Sequence, residues 1–200
     1  MYRYVVFVAM DLTGPVPEVP PGPALEMRLL RPDDEDAYAR SRGRSVESVP
    51  ALRRLEEGHV CVAAWLDGEI VSTAWYAFDS VRVDEIDRVL RLAPDEAYVY
   101  DSYTTEGLRG LSIAALRGRW AIAHFGGLGF RRTVGWVSPK NLPAFGPARK
   151  LGADTLGRAG YFRLGPWRRE FVEPADGRRR WAAHGEPIVL ARDFDLDRGD

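Results

Sequence analysis

Residues 59–78 read HVCVAAWLDGEIVSTAWYAF. Two β-rich runs meet at Asp67-Gly68, and an Asp-Gly pair between such runs is the signal of a two-residue hairpin. An antiparallel pair is thus set within the chain, and the other elements have to be arranged around it. Ahead of it, residues 2–10 (YRYVVFVAM) read as a strand from their β-branched and aromatic content. Residues 13–23 (TGPVPEVPPGP) hold five prolines and read as an extended tether. Leu25 to Leu30 alternate as a second strand. Pro32-Asp33-Asp34-Glu35 opens a helix, because proline fits a first turn and acids favour the positive helix end. Pro50 opens another, which runs through ALRRLEEG to a C-cap at Gly58.

After the hairpin, residues 81–95 (VRVDEIDRVLRLAPD) read as partly helical. A strand follows at 97–104, a helix from about Ser112 to Gly127, and a strand at 131–138. Asn141 starts a short helix that is expected to break near Gly146-Pro147 and to close at Gly152. The segments DTLGRAGYFRLG, REFV and PIVLA suggest short strands of an antiparallel end, and the tail RDFDLDRGD is polar enough to be loose. This mixed order predicts an α+β fold, one sheet with helices on its faces.

The 200 residues suit a single domain with a sizeable core. A net charge of −1 gives no electrostatic case for nucleic acid or for an anionic membrane, and neither is expected as a partner. The arginine-aromatic run GRRRW at 177–181 reads as a solvated turn. Runs such as YVVFVAM are too short to span a bilayer, and no small-residue cleavage site follows that one, so a cytoplasmic location is expected. Cys61 is the single cysteine; it excludes an internal disulfide and reads as a buried, inert thiol. His59, His124 and His184 show no metal-ligand spacing, so no metal is expected. No G-x-S-x-G nucleophile elbow is present.

The chemistry-bearing stretch is YTTEGLRGLSIAAL, Tyr103 to Leu116. A strand that feeds a helix through Gly107 and Gly110 exposes the unpaired N–H groups of the first helical turn at the positive end of the helix dipole. Such a turn suits phosphate or pyrophosphate, and Arg109 adds a fixed charge with a bidentate donor fork. It is not a P-loop, which needs Gly-Lys-Ser/Thr, and it lacks the three glycines of the dinucleotide fingerprint. From this segment alone an anion site and a plain tight connection both stay open.

The neighbourhood extends the reading. YVYDSYTTEGLRGLSIAAL, then a helix, then RRTVGWVSPKN, then KLGA, resembles the Gcn5-related N-acetyltransferase family over residues 25–165. The family motif Gln/Arg-x-x-Gly-x-Gly/Ala, between its fourth strand and third helix, is matched by Arg109, Gly110, Leu111, Ser112, Ile113 and Ala114. Asn141 matches the asparagine after the family's fifth strand, and Lys150-Leu151-Gly152-Ala153 resembles its "klGF" ending of the fourth helix. The chain departs from the pattern at Ser112, which replaces a glycine, at Ala153, which replaces Phe, and at Ala148, where many members carry a general-acid tyrosine.

The resemblance implies a mixed, mostly antiparallel sheet splayed between the family's fourth and fifth strands. It divides the chain into a strand and tether at 1–24, one acyltransferase-like domain at 25–192 and a polar tail at 193–200. It implies acetyl transfer from acetyl-CoA, as co-substrate, to a primary amine of a small molecule by direct attack. The backbone of Ser102, Tyr103 and Thr104 would pair with the pantetheine arm, and the amides of Leu111 to Ala115 with Arg109 would hold the pyrophosphate. A backbone N–H near Tyr103 would polarise the thioester carbonyl.

Tyr98 and Asp101 are the candidate bases. Alternation puts Tyr98, Tyr100, Ser102 and Thr104 on one face and Asp101 and Tyr103 on the other. Packing tyrosines and an anchoring aspartate are the competing reading of the same residues. Transfer of a longer acyl group, or a non-catalytic CoA-binding module on the same fold, are the alternatives. The N-terminal strand and tether are candidates for homodimer contacts.

Overall fold

The computed structural model describes residues 1–43 and 50–194, with the backbone alone over 142–145. The chain opens with β1 (Tyr2–Asp11), then β2 (Glu26–Leu29), α1 (Glu35–Arg42) and α2 (Ala51–Glu56). The hairpin is β3 (Val60–Leu66) and β4 (Glu69–Ala77). Asp67 and Gly68 sit at φ 52° and 81°, the paired left-handed conformation that a tight two-residue turn demands. Next come β5 (Ser80–Val83), β6 (Arg88–Arg91), β7 (Glu96–Thr104), α3 (Ile113–Gly127), β8 (Arg132–Val137) and α4 (Leu142–Lys150). The chain closes with β9 (Asp154–Leu164), β10 (Trp167–Pro174), β11 (Arg180–Ala182), β12 (Ile188–Val189) and α5 (Leu190–Asp193).

Among the described residues the main sheet runs β11-β10-β9-β1-β8-β7-β4-β3-β2. Its pairs are antiparallel except β7 with β8. That parallel pair covers only Glu96↔Arg132, Ala97↔Thr133 and Tyr98↔Val134, so the two strands part after Tyr98. β1 lies inside the sheet, paired on both sides, with Val6 opposite Val137 of β8 and Arg158 of β9.

The sheet is covered on both faces, as the continuous burial of β3 and β4 requires. On one face, Ile122 and Phe125 of α3 pack with Val62, Ala74, Tyr76 and Ala97, and the Tyr76 and Phe125 rings lie 4.6 Å apart. On the other, Tyr38 of α1 and Ala51 of α2 cover Cys61, Ala63 and Trp75. The Glu35 carboxylate of α1 accepts from the Ala51 and Leu52 amides at 3.2 and 2.8 Å, so one helix caps the next.

Three local expectations change. Residues 81–95 are not helical: β5 and β6 form a hairpin whose turn holds Asp87 at φ 55°, and β12 adds to it in parallel. Val83, Ile86 and Leu90 are buried against Phe7, Tyr98 and Val134. The helix at 142–150 does not break at Pro147, because an imide there removes one rung and the ladder resumes with Leu151 N–H donating to the Pro147 carbonyl at 3.2 Å. The end of the chain carries long strands, β9 and β10, rather than short ones.

At the start of the polar tail, Asp193 is buried and accepts from the Val189 amide at 2.9 Å, and Phe194 packs on Phe7. Residues 195–200 of that tail lie outside the described residues. No helix among the described residues is long and apolar enough to cross a membrane.

Candidate active site

β7 carries a bulge. Its pairing with β4 runs Tyr98↔Ala77, Val99↔Tyr76 and Tyr100↔Trp75, then resumes at Tyr103↔Thr73. The extra residue is accommodated at Asp101, which sits at φ 46° in the left-handed region that Asp tolerates better than most side chains. A bulge shifts side-chain parity. Ala97 and Val99 face α3, and Tyr98 and Tyr100 face the opposite side, against the clusters of Phe7 and Trp75. Beyond the bulge Ser102 returns to the α3 face, where Arg117 reaches it, while Asp101 and Tyr103 face α1 and α2. The expected alignment of Tyr98, Tyr100, Ser102 and Thr104 on one face is therefore corrected: the bulge divides them into two pairs.

Both Asp101 oxygens are engaged. Arg42 Nη2 and Arg54 Nη1 each approach one at 2.6 Å. The side chain therefore joins β7 to α1 and α2. Tyr98 is buried in the core and stacks on Tyr100, centroids 6.0 Å apart, and burial raises its phenol pKa above the ordinary 10.0.

A pair that the sequence left unjoined stands beside them. His59 Nδ1 lies 2.6 Å from the Tyr100 hydroxyl, both side chains half-buried. Burial lowers the His59 pKa below 6.5, so the imidazole is neutral near pH 7 and can accept a proton. Burial also raises the Tyr100 phenol, against the Arg54 guanidinium near its ring. The residues are 41 apart in sequence and on different strands or turns, and only the β3–β4–β7 register brings them together.

The other half of the site is the loop from β7 to α3. Thr105 N–H donates to the Val71 carbonyl at 2.9 Å, a single 3₁₀ turn spans Glu106–Leu108, and Arg109 is extended. Gly110 at φ 87° and Ser112 at φ 61° are both left-handed, and they turn the chain into α3 with no side chain among the described residues capping its first amides. Those amides remain donors in search of an acceptor. Arg109 is exposed, with Nε donating to the Thr104 carbonyl at 3.3 Å and Nη1 3.6 Å from Glu106.

The proline tether forms a wall of this loop: Pro21, Gly22 and Pro23 share a cleft with Gly110, Leu111 and Ser112. A Cβ at Gly22 would lie 2.7 Å from both the Leu111 carbonyl oxygen and Leu116 Cδ1, so the tether is pressed onto the loop. Ile113 is buried and Ala114 half-buried in the first turn of α3. Asn141 is exposed at the start of α4, its N–H donating to the Ser138 carbonyl at 2.9 Å. Ala148 is half-buried on the same helix. Cys61 is buried away from the loop, its thiol pushed up to about 12 by desolvation.

No protein-family model matches the sequence, and no curated protein matches it. Solved structures do match in three dimensions. A GCN5-related N-acetyltransferase from Sphaerobacter thermophilus superimposes with TM-score 0.53 at 18% identity, over 78% of this chain and 50% of its own. An acetyltransferase of the GNAT family from Colwellia psychrerythraea gives 0.54 at 9% identity, over 78% and 54%. AAC(6')-Iy, solved in complex with a CoA-based bisubstrate analogue, gives 0.50 at 16% identity, over 65% and 90%. The chain has the Gcn5-related N-acetyltransferase fold, and it spans about half the length of the first two of these proteins.

Proposed function

We propose that the chain is an acyl-CoA-dependent N-acyltransferase that moves an acetyl group from acetyl-CoA to a primary amine of a small molecule by direct attack. The observation that carries this reading is the juxtaposition of an edge and a turn. β7 last pairs with β8 at Tyr98 and Val99 still lies against Gly135, so the edge from Ser102 to Thr104 is unpaired on the β8 side and leads to the uncapped amides of α3. An open strand edge accepts an extended, amide-bearing chain by backbone pairing, and uncapped helical amides accept a phosphate. Pantetheine joined to pyrophosphate offers those two features in that order. Arg109 supplies the charge at the phosphate end.

The amine arrives protonated near neutral pH and has to lose a proton before it can attack. The neutral His59, through the Tyr100 hydroxyl, is our candidate to take it. Asp101 then acts as the anchor that holds the bulge against Arg42 and Arg54. Behind the His59 and Tyr100 pair, Tyr38, Arg54 and Trp75 are buried in mutual contact and form the floor on which α1 and α2 sit.

Calorimetric titration with CoA and with acetyl-CoA tests the reading, followed by a thiol-release screen over small primary amines. Binding of both ligands that Arg109→Glu weakens, with thiol release on one or more amines, is the expected result. Binding without turnover on any amine would favour the non-catalytic module. A folded protein that binds neither ligand would end the proposal.

A further inference from the structure

Among the described residues, none neutralises the charge of Arg117. It lies on α3 with 4% of its surface exposed. The titratable side chains that act on it are Tyr76 and Cys61, both uncharged at neutral pH, and burial pulls its own pKa below 12.5. Its Nη1 donates to Ser72 Oγ, to the Thr73 carbonyl at 2.5 Å and to the Tyr103 carbonyl at 3.0 Å. Its Nη2 donates to Ser102 Oγ at 2.7 Å, and its Nε is buried without a partner. A buried cation whose partners among the described residues are all neutral acceptors is an expensive arrangement, and it favours any negative charge that develops within reach.

Ser102 is where that charge meets the unpaired edge. It is exposed, and it lies on β7 beyond the last pairing with β8. A serine hydroxyl has one proton and two lone pairs. Arg117 takes a lone pair, which leaves the proton to be donated and makes it a stronger donor. The same guanidinium also polarises the neighbouring Tyr103 carbonyl.

We infer that the Ser102 hydroxyl, polarised by Arg117, donates the hydrogen bond that holds the acyl carbonyl oxygen of the bound thioester. The inference rests on the acyltransferase reading. In the reaction, the amine lone pair forms the new C–N bond and the carbonyl π pair moves onto oxygen. Ser102 stabilises that oxyanion and keeps its proton throughout. The pair returns to carbon as the C–S bond breaks, the thiolate leaves with the bonding electrons, and the second proton, shed by the nitrogen after its attack, ends on sulfur through water, the first having passed to His59. Ser102 is then a catalytic residue and Arg117 a positioning residue behind it.

The test needs no knowledge of the acceptor. Acetyl-CoA labelled with carbon-13 at the carbonyl is bound to wild type, Ser102→Ala, Ser102→Thr and Arg117→Gln, and the carbonyl resonance is recorded. CoA, which lacks the carbonyl, is titrated in parallel. Wild type is expected to move the resonance downfield, as polarisation demands. Ser102→Ala should lose the shift, Ser102→Thr should keep it, and CoA should bind wild type and Ser102→Ala equally. Arg117→Gln is expected to reduce the shift.

If Arg117→Gln fails to fold, the Ser102 pair decides alone. With an amine acceptor in hand, Ser102→Ala should lower kcat by about 10²-fold at unchanged KM. A full downfield shift in Ser102→Ala would overturn the inference and leave the acyltransferase reading standing. Equal losses of CoA and acetyl-CoA affinity in Ser102→Ala would also overturn it. Folded wild type that binds neither ligand would overturn both.

Discussion

His59 Nδ1 and the Tyr100 hydroxyl stand 2.6 Å apart, across the strands that also carry the bulge at Asp101. Desolvation lowers the histidine, so its folded pKa is below the ordinary 6.5. The neutral form is the one the fold prefers. The associated stability is full above 6.5 and is lost as pH falls through the folded value. Activity should follow the same acid limb, with a midpoint under 6.5 in kcat/KM against pH. Tyr100→Phe should cut kcat by roughly 10²-fold while leaving CoA affinity intact. An unchanged pH profile in His59→Gln would remove the pair from the reaction.

Asp101→Asn separates charge from backbone. Asn also tolerates a left-handed φ, so the bulge survives, but Arg42 and Arg54 lose their shared carboxylate. We expect a loss of roughly 2–4 kcal/mol in denaturant unfolding, because one partner of a largely buried ion cluster is removed. The kcat of the fraction that stays folded should change little.

At the loop, Glu106 sits 3.6 Å from Arg109 and competes with any anionic ligand for it. Arg109→Glu should weaken CoA by about tenfold or more, which corresponds to about 1.4 kcal/mol. Glu106→Gln should tighten it at low ionic strength, and the gain should fade as salt screens the contact. Calorimetry at two salt concentrations reads both effects.

Ser112 is a β-carbon residue at φ 61°. A left-handed L-residue is strained by roughly 1–2 kcal/mol, which glycine relieves. Ser112→Gly should therefore raise the unfolding free energy by about 1 kcal/mol, net of glycine's chain entropy. It should leave CoA affinity within a factor of about two, since the amides that follow are unchanged.

Gly22→Val tests the contact between the tether and the loop. Its side chain would meet the Leu111 carbonyl, which is backbone and cannot yield as a side-chain tip would. The tether should lift, and residues 13–23 should become cleavable in limited proteolysis where wild type resists.

Much of this architecture was legible because short-range chemistry dictates it. The Asp67-Gly68 turn fixes the hairpin with side chains that suit a left-handed pair, and Gly110 marks the entry to α3 for the same reason. The segment 81–95 misled because Val83, Ile86 and Leu90, three and four residues apart, have the spacing of a helical face. They are instead spread over a strand, a turn and a strand. The bulge left no comparable mark: an aspartate within a strand looks the same whether φ is negative or positive.

The pairing of His59 with Tyr100 depends on sheet register, which no local pattern encodes. Arg117 did leave a trace. It falls on one stripe with Ile113, Ala121 and Phe125, four residues apart along α3, and all of that stripe is buried. A charged residue at a core position of an amphipathic helix is a readable anomaly.

The place of β1 sets the order in which the sheet can be completed. Its partners, residues 132–137 and 154–164, are translated long after it. At about 5–20 residues per second, β1 waits on the order of ten seconds with both hydrogen-bonding edges open. Closure then inserts it between two strands that cannot pair across the space it fills. The ribosome exposes this strand before either partner, and the tether that later lines the loop between β7 and α3 is the length of chain that lets it reach its seat.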